Sequence, residues 1–228
     1  MCRGMTAQAS RLEARRSVNP MTRVAIIDYG KGNVRSVRNA VNYCGADTLV
    51  TCDETDIDDA SHIILPGVGA FGDAMDALND RGLPEILHRQ VFEKGKAFLG
   101  VCVGMQVLAK NGYEHGKHKG LGWFDADVVR MESGPDCLKI PHMGWSAVEK
   151  KADHPVFEGF AHEDLTFYFV HSYHVVPREC NVVLGTCIYS SPFVAVLARD
   201  NIVTTQFHPE KSQDSGIELL ENFVGWTP

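Results

Sequence analysis

Apolar positions change their spacing about halfway along the chain. Up to residue 102 they gather into short unbroken runs: RVAIIDYG, DTLVTC, SHIILPG and KAFLGVC. A β-branched run without polar alternation suits a strand covered on both faces. Between the runs the spacing lengthens to three and four residues. Val34, Val37, Val41 and Cys44 recur after Asn33, a residue suited to capping a helix start. Segments 70–78 and 84–94 read as two more helices, the second with proline in its first turn. VGMQVLAK, after the fourth run, starts another. Strands that alternate with helices imply parallel pairing.

The second half reads differently. GWFDADVVRM, LTFYFVHSYHVV, NVVLGTCIY, FVAVLAR and NIVTTQFH are strand-like runs separated by turn residues, which predicts antiparallel hairpins. A last helix over 212–226 carries Ile217, Leu220, Phe223 and Val224 on one side. The pattern therefore predicts an α/β fold: a central, mostly parallel sheet flanked by helices, with antiparallel strands in the C-terminal half. No repeat or linker divides residues 21–228, which read as one domain.

Residues 1–20 stand apart, with four arginines, one glutamate and no apolar period. They lack the apolar stretch of a secretory signal. They read as a disordered extension, with Met21 opening the folded part.

Composition narrows the function. With 44% hydrophobic and 22% charged residues among 228, the chain is that of a globular protein. No apolar segment is long enough to span a bilayer. The formal charge of -7 argues against nucleic acid as a partner. The seven cysteines are scattered without a C-x-x-C pair, which fits a reducing compartment such as the cytoplasm better than a disulfide framework. His115 and His118 form an H-x-x-H without a third ligand nearby, so no metal site is expected.

The candidate chemistry lies in FLGVCVGMQVL. Gly100-Val101-Cys102-Val103-Gly104 places a cysteine between glycines where a strand turns into a helix, the pattern of a nucleophile elbow with sulfur for oxygen. A buried structural cysteine is the plain alternative. A reactive thiolate wants an imidazole and a group to orient it. TTQFHPEKS supplies His208 and Glu210, two apart, on one face of a segment that Pro209 keeps extended. Oxyanion donors would be the backbone amide of Val103 and an amide from LPGVGAF, centred on Val68. A weaker motif, Gly30-Lys31-Gly32 with Asp53 downstream, matches half of a dinucleotide fingerprint but has Arg35 at the third glycine.

Together these residues resemble the class I (triad) glutamine amidotransferases, whose paired signatures are GVCVGMQ and FHPE. Within that family, DYGKGNVRSV, LPGVGAF, PHMGWS and FVHSYHV are most similar to the glutaminase subunits of imidazole glycerol phosphate synthase. The resemblance covers roughly residues 22–226. It implies a flavodoxin-like fold, no cofactor, and hydrolysis of L-glutamine with Cys102 as nucleophile, His208 as acid and base, and Glu210 orienting it. Gln106 and the backbone around Gly69, Ser172 and Tyr173 would hold the substrate. The implied partner is a (β/α)₈-barrel cyclase subunit in a heterodimer of histidine biosynthesis, with Met143, Gly144, Trp145 and Lys211 at the interface. Ser146, where asparagine is usual, and His174, where an aromatic is common, depart from the pattern. The glutaminase subunit of pyridoxal 5'-phosphate synthase is a runner-up, disfavoured by PGVGAF where that family carries a GGEST-like segment. A non-catalytic interaction protein on the same fold is another, disfavoured by the intact triad.

Overall fold

The computed structural model describes residues 22–135, 137–160 and 165–228. The expectations for residues 1–20 and for Met21 lie outside the described residues.

The continuous apolar runs form the parallel half of one sheet. Strands β1 (Arg23–Ile27), β2 (Asp47–Thr51), β3 (His62–Gly67) and β4 (Ala97–Cys102) alternate with helices α1 (Val34–Tyr43), α2 (Glu54–Asp59), α3 (Phe71–Asn79) and α4 (Leu83–His88). A π-helical turn, Arg89–Glu93, follows α4. Every residue of β3 and β4 is buried, as strands packed on both faces require. Asn33 precedes α1 but makes no side-chain cap, contrary to the expectation.

After β4 the chain makes a single helical turn, α5 (Val103–Gln106), rather than the longer helix expected from VGMQVLAK. Ala109–Gly112 instead forms β5, which pairs in parallel with β7 (Phe124–Arg130). Sheet pairing overrides the local helical pattern here. A second sheet results, in the order β10–β7–β5–β6, with β6 at His118–Lys119 and β10 at Tyr173–Pro177. The pattern did not anticipate it. The run LTFYFVHSYHVV, read as one strand, divides at Ser172 into β9 (Thr166–His171) and β10, which serve different sheets.

The main sheet runs β2–β1–β3–β4–β13–β12–β11–β8–β9, with β8 at His142–Lys150, β11 at Val183–Ile188, β12 at Pro192–Arg199 and β13 at Ile202–Thr205. Its first five strands are parallel, and the antiparallel portion begins where β12 meets β13. Helix α6 (Gln213–Gly225) closes the described chain and buries Leu219, Leu220, Phe223 and Val224.

Strands β3, β4 and β13 end side by side. Gly67 lies opposite Cys102, and Thr205 opposite Val101. Loops leaving the carboxyl ends of parallel strands form a crevice in such sheets, and the candidate residues gather there.

Candidate functional site

Cys102 ends β4 and begins α5 with φ 56 and ψ -110. A non-glycine residue at positive φ carries strain, and here it turns the side chain off the strand at the sheet's edge. Gly104 makes the turn possible. A Cβ there would lie 1.9 Å from the Leu65 carbonyl oxygen of β3, so only glycine lets α5 sit down on the sheet. The elbow expected from the sequence is thus present, on one turn of helix.

From β13 the chain runs through Gln206 and Phe207 to His208. Its backbone N–H donates to the Tyr168 carbonyl at 3.0 Å, which ties this segment to β9. Pro209–Lys211 then forms a 3₁₀ turn, not the extended segment expected. The turn brings Glu210 back beneath the imidazole, with His208 Nδ1 2.9 Å from Glu210 Oε1 and both side chains at most 2% exposed. Among the described residues Nε2 of His208 has no hydrogen-bond partner, and it is the nitrogen left for proton transfer. Burial disfavours the imidazolium. The Cys102 and Glu210 side chains more than offset that burial, pushing the His208 pKa up to about 9. Cys102, His208 and Glu210 therefore form one electrostatic unit.

Gln106, 3% exposed, donates to the Tyr173 carbonyl at 2.9 Å, so two residues predicted to hold substrate are brought together. The Ser172 carbonyl accepts from the Met131 amide at 2.8 Å. In the loop after β3, Gly69 has φ +95, an angle closed to most residues. The Val68 amide donates to the Lys31 carbonyl at 2.8 Å. That N–H is therefore already engaged, whereas the Val103 amide opens α5 directly beside Cys102.

Met143 and Trp145, 62% and 46% exposed on β8, flank Gly144. Trp145 packs edge-on to Tyr168 with ring centroids 6.0 Å apart. Lys211 is exposed on the 3₁₀ turn that follows His208. Met143, Gly144 and Trp145 pair with Val170, Phe169 and Tyr168 of β9, the strand to which the His208 amide is bonded, and the Lys211 amide donates to the His208 carbonyl at 3.0 Å. Ser146 turns inward, its hydroxyl 2.9 Å from His142 Nε2. His174 is half-buried, with no partner at Nδ1 among the described residues.

The half-fingerprint is accounted for otherwise. Asp53 caps α2, accepting from the Thr55 amide at 2.8 Å. Among the described residues no group of three side chains could hold a metal ion.

Sequence reasoning missed several polar residues of the site. Gln206 is fully buried beside Cys102. Tyr29 is 1% exposed with an unpartnered hydroxyl close to Gly67, and burial, reinforced by Cys102, pushes its phenol upward. Glu114 accepts from the Phe71 amide at 2.9 Å and fixes the loop after β3. His142 and His171 lie 3.2 Å apart between Ser146 and the Tyr173 carbonyl. Polar residues inside a strand-like run, such as Thr204, Thr205 and Gln206 in IVTTQF, were the available signal for Gln206.

Comparison with known proteins shows the family. The family described as glutamine amidotransferase class-I matches residues 25–225. The chain is similar to imidazole glycerol phosphate synthase subunit HisH 2 of Nitrobacter winogradskyi, at 56% identity over 212 residues, covering 91% of this chain and 100% of that one. Subunit HisH 2 of Pseudomonas aeruginosa is 45% identical, covering 88% and 98%. Subunit HisH of Aquifex aeolicus is 46% identical, covering 88% and 95%. Among solved structures, PurLQS from Thermotoga maritima superimposes with a TM-score of 0.71 at 20% identity, over 90% of this chain and 98% of that one. A structure described as glutamine amidotransferase gives 0.66 at 19%, over 89% and 99%. At such identities the structural likeness speaks for the fold alone.

Proposed function

Because the chain belongs to the class I glutamine amidotransferase family, we propose that it is the glutaminase subunit of an imidazole glycerol phosphate synthase. It hydrolyses glutamine to glutamate and ammonia, and passes the ammonia to a cyclase subunit. The observation that carries this reading is Cys102 at a strained elbow, electrostatically paired with a His208 that Glu210 holds at 2.9 Å. The names of relatives 45–56% identical over most of the chain support the choice of reaction.

Each side chain has a defined task. The Cys102 sulfur attacks the side-chain carbonyl carbon of glutamine, and the negative charge moves to the carbonyl oxygen. Val103 N–H faces that oxygen from the first turn of α5. His208, as imidazolium, gives a proton to the departing nitrogen, and the C–N bond breaks to release ammonia. The neutral imidazole then takes a proton from water. The water oxygen attacks the thioester, the C–S bond breaks, and glutamate leaves. Glu210 keeps the Nδ1–H in place, so Nε2 always serves the reacting atoms. Gln106 and the backbone at Gly69, Ser172 and Tyr173 hold the substrate.

The partner is a (β/α)₈-barrel cyclase, and the product reactions give imidazole glycerol phosphate and an aminoimidazole carboxamide ribotide in histidine biosynthesis. The pair works as a heterodimer in the cytoplasm. The exposed Met143, Trp145 and Lys211, with the half-buried Gly144, form its contact surface. No described helix is long and apolar enough to cross a membrane.

The second oxyanion donor is the Val68 amide, released from Lys31 when the partner is bound. Its bond to Lys31 is the resting state, and rotation about Val68, flanked by Gly67 and Gly69, supplies the active one. Co-purification with a barrel subunit and measurement of glutamate formation test the reading. Coupled glutamate and imidazole glycerol phosphate production is expected, and a complex that releases no glutamate from glutamine overturns it.

A further inference from the structure

One buried carboxamide touches the reacting sulfur and has no role in the scheme above. Gln206 is fully buried on the continuation of β13, where its backbone N–H still bonds to the Ala195 carbonyl at 2.8 Å. Its Nε2 lies 3.8 Å from Cys102 Sγ, within reach of an N–H···S hydrogen bond. Its Oε1 accepts from Gln106 Nε2 at 3.1 Å. Burying a carboxamide is costly unless its donors and acceptor are satisfied, and an apolar side chain would fill the same space without that cost.

The orientation of both amides follows from a single backbone atom. The Tyr173 carbonyl can only accept, and it receives Gln106 Nε2 and His171 Nδ1, each at 2.9 Å. The NH₂ end of Gln106 must therefore face Tyr173. Its second N–H then meets Gln206, so Gln206 must present oxygen to Gln106 and nitrogen to sulfur. Reversing Gln206 would oppose N–H to N–H at Gln106 and a lone pair to the sulfur. With both N–H groups of Gln106 occupied, its oxygen is the atom left to accept from a substrate N–H.

We propose that Gln206 is a further catalytic residue of the glutaminase reaction. Its N–H steadies negative charge on the Cys102 sulfur, and its oxygen aims Gln106 at the substrate. The sulfur carries that charge twice, as the attacking thiolate and again when the C–S bond of the thioester breaks and its electron pair returns to sulfur. A neutral donor beside it favours the charged form without competing for the proton, which stays with His208. This assignment rests on the glutaminase reading. Its test includes a measurement on the sulfur that needs no turnover.

That test uses the complex with the barrel subunit and two substitutions. Gln206→Met keeps the volume and removes both polar ends. Gln206→Glu keeps the acceptor for Gln106 and sets a charge against the sulfur. The pH profile of Cys102 alkylation by iodoacetamide is followed by mass spectrometry on the peptide spanning residues 97–110. The profile should move to higher pH by about one unit in Gln206→Met, the order expected for one lost hydrogen bond to a charged group, and further in Gln206→Glu. Glutaminase kcat should fall about tenfold in Gln206→Met, with a raised KM because Gln106 is no longer aimed. A packing role alone would leave the alkylation profile unmoved. Profiles that superimpose on wild type, with kcat/KM within twofold, overturn the proposal. Should a substitution prevent folding, the wild-type chain gives the same reading. The Gln206 side-chain amide resonances should shift as Cys102 titrates and hold still in Cys102→Ala, and resonances insensitive to that titration overturn it too.

Discussion

At the scale of single residues the site depends on Cys102 and His208, brought together in a buried setting where Glu210 holds the imidazole. Cys102→Ala should abolish glutamine hydrolysis by at least about 10⁴-fold while leaving synthesis from free ammonia in the complex unchanged, because the proposed function assigns the two reactions to different chains. Residual glutaminase near wild type in a coupled glutamate assay would contradict the assignment. Glu210→Gln should be milder than His208→Ala by about tenfold or more, because orientation contributes less than proton transfer. It should also lower the His208 pKa from about 9, which nitrogen-15 NMR of the imidazole reads directly. Because that pKa is raised above its usual value of 6.5, the pair's contribution to stability is full below about 6.5 and is lost as pH rises through about 9. The triad was legible in the sequence because an elbow needs glycines in register with the cysteine, and because a histidine two residues from a glutamate is a local pattern. Gln206 was not, since its contacts join residues about a hundred positions apart.

At the scale of elements, the parallel strands could be read from their apolar runs, because burial on both faces writes itself into composition. The second sheet could not. Residues 109–112 continue a helical pattern, and only pairing with β7 turns them into a strand. Two consequences of packing can be measured. Gly104→Ala would drive a Cβ into the Leu65 carbonyl, so the urea midpoint should reflect a loss of about 3 kcal/mol or more; an unchanged midpoint would mean that α5 does not rest on β3 as described. His142 and His171 are neutral in the core, with burial pushing their pKa values down to about 4 and about 3. The unfolded chain binds protons at these histidines below about 6.5, whereas the folded chain does not. Stability should therefore fall as pH drops from about 6.5 toward 4, with a slope of up to about 1.4 kcal/mol per pH unit for each group. His171→Asn should flatten that slope in urea titrations across this range, and a slope identical to wild type would show that the imidazole is not held neutral.

At the scale of the whole molecule, the loop from Gly67 to Gly69 and the segment leading to the 3₁₀ turn of Lys211 leave the carboxyl ends of β3 and β13, and β9 links that segment to the β8 surface. A partner seated on that side could favour one state of the Val68 amide, but only by binding that state more tightly than the other. The bond between the Val68 amide and the Lys31 carbonyl is invisible in the sequence, which supplies glycines on both sides of Val68 without saying which way the peptide between them faces. One absent oxyanion donor lowers turnover by about 10²- to 10³-fold. The direct measurement is therefore glutaminase turnover of the purified chain against that of its complex with the barrel subunit and the cyclase's ligand. The account predicts a rise of at least about 10²-fold in the liganded complex. A lone chain that already turns over at the rate of the complex would contradict it.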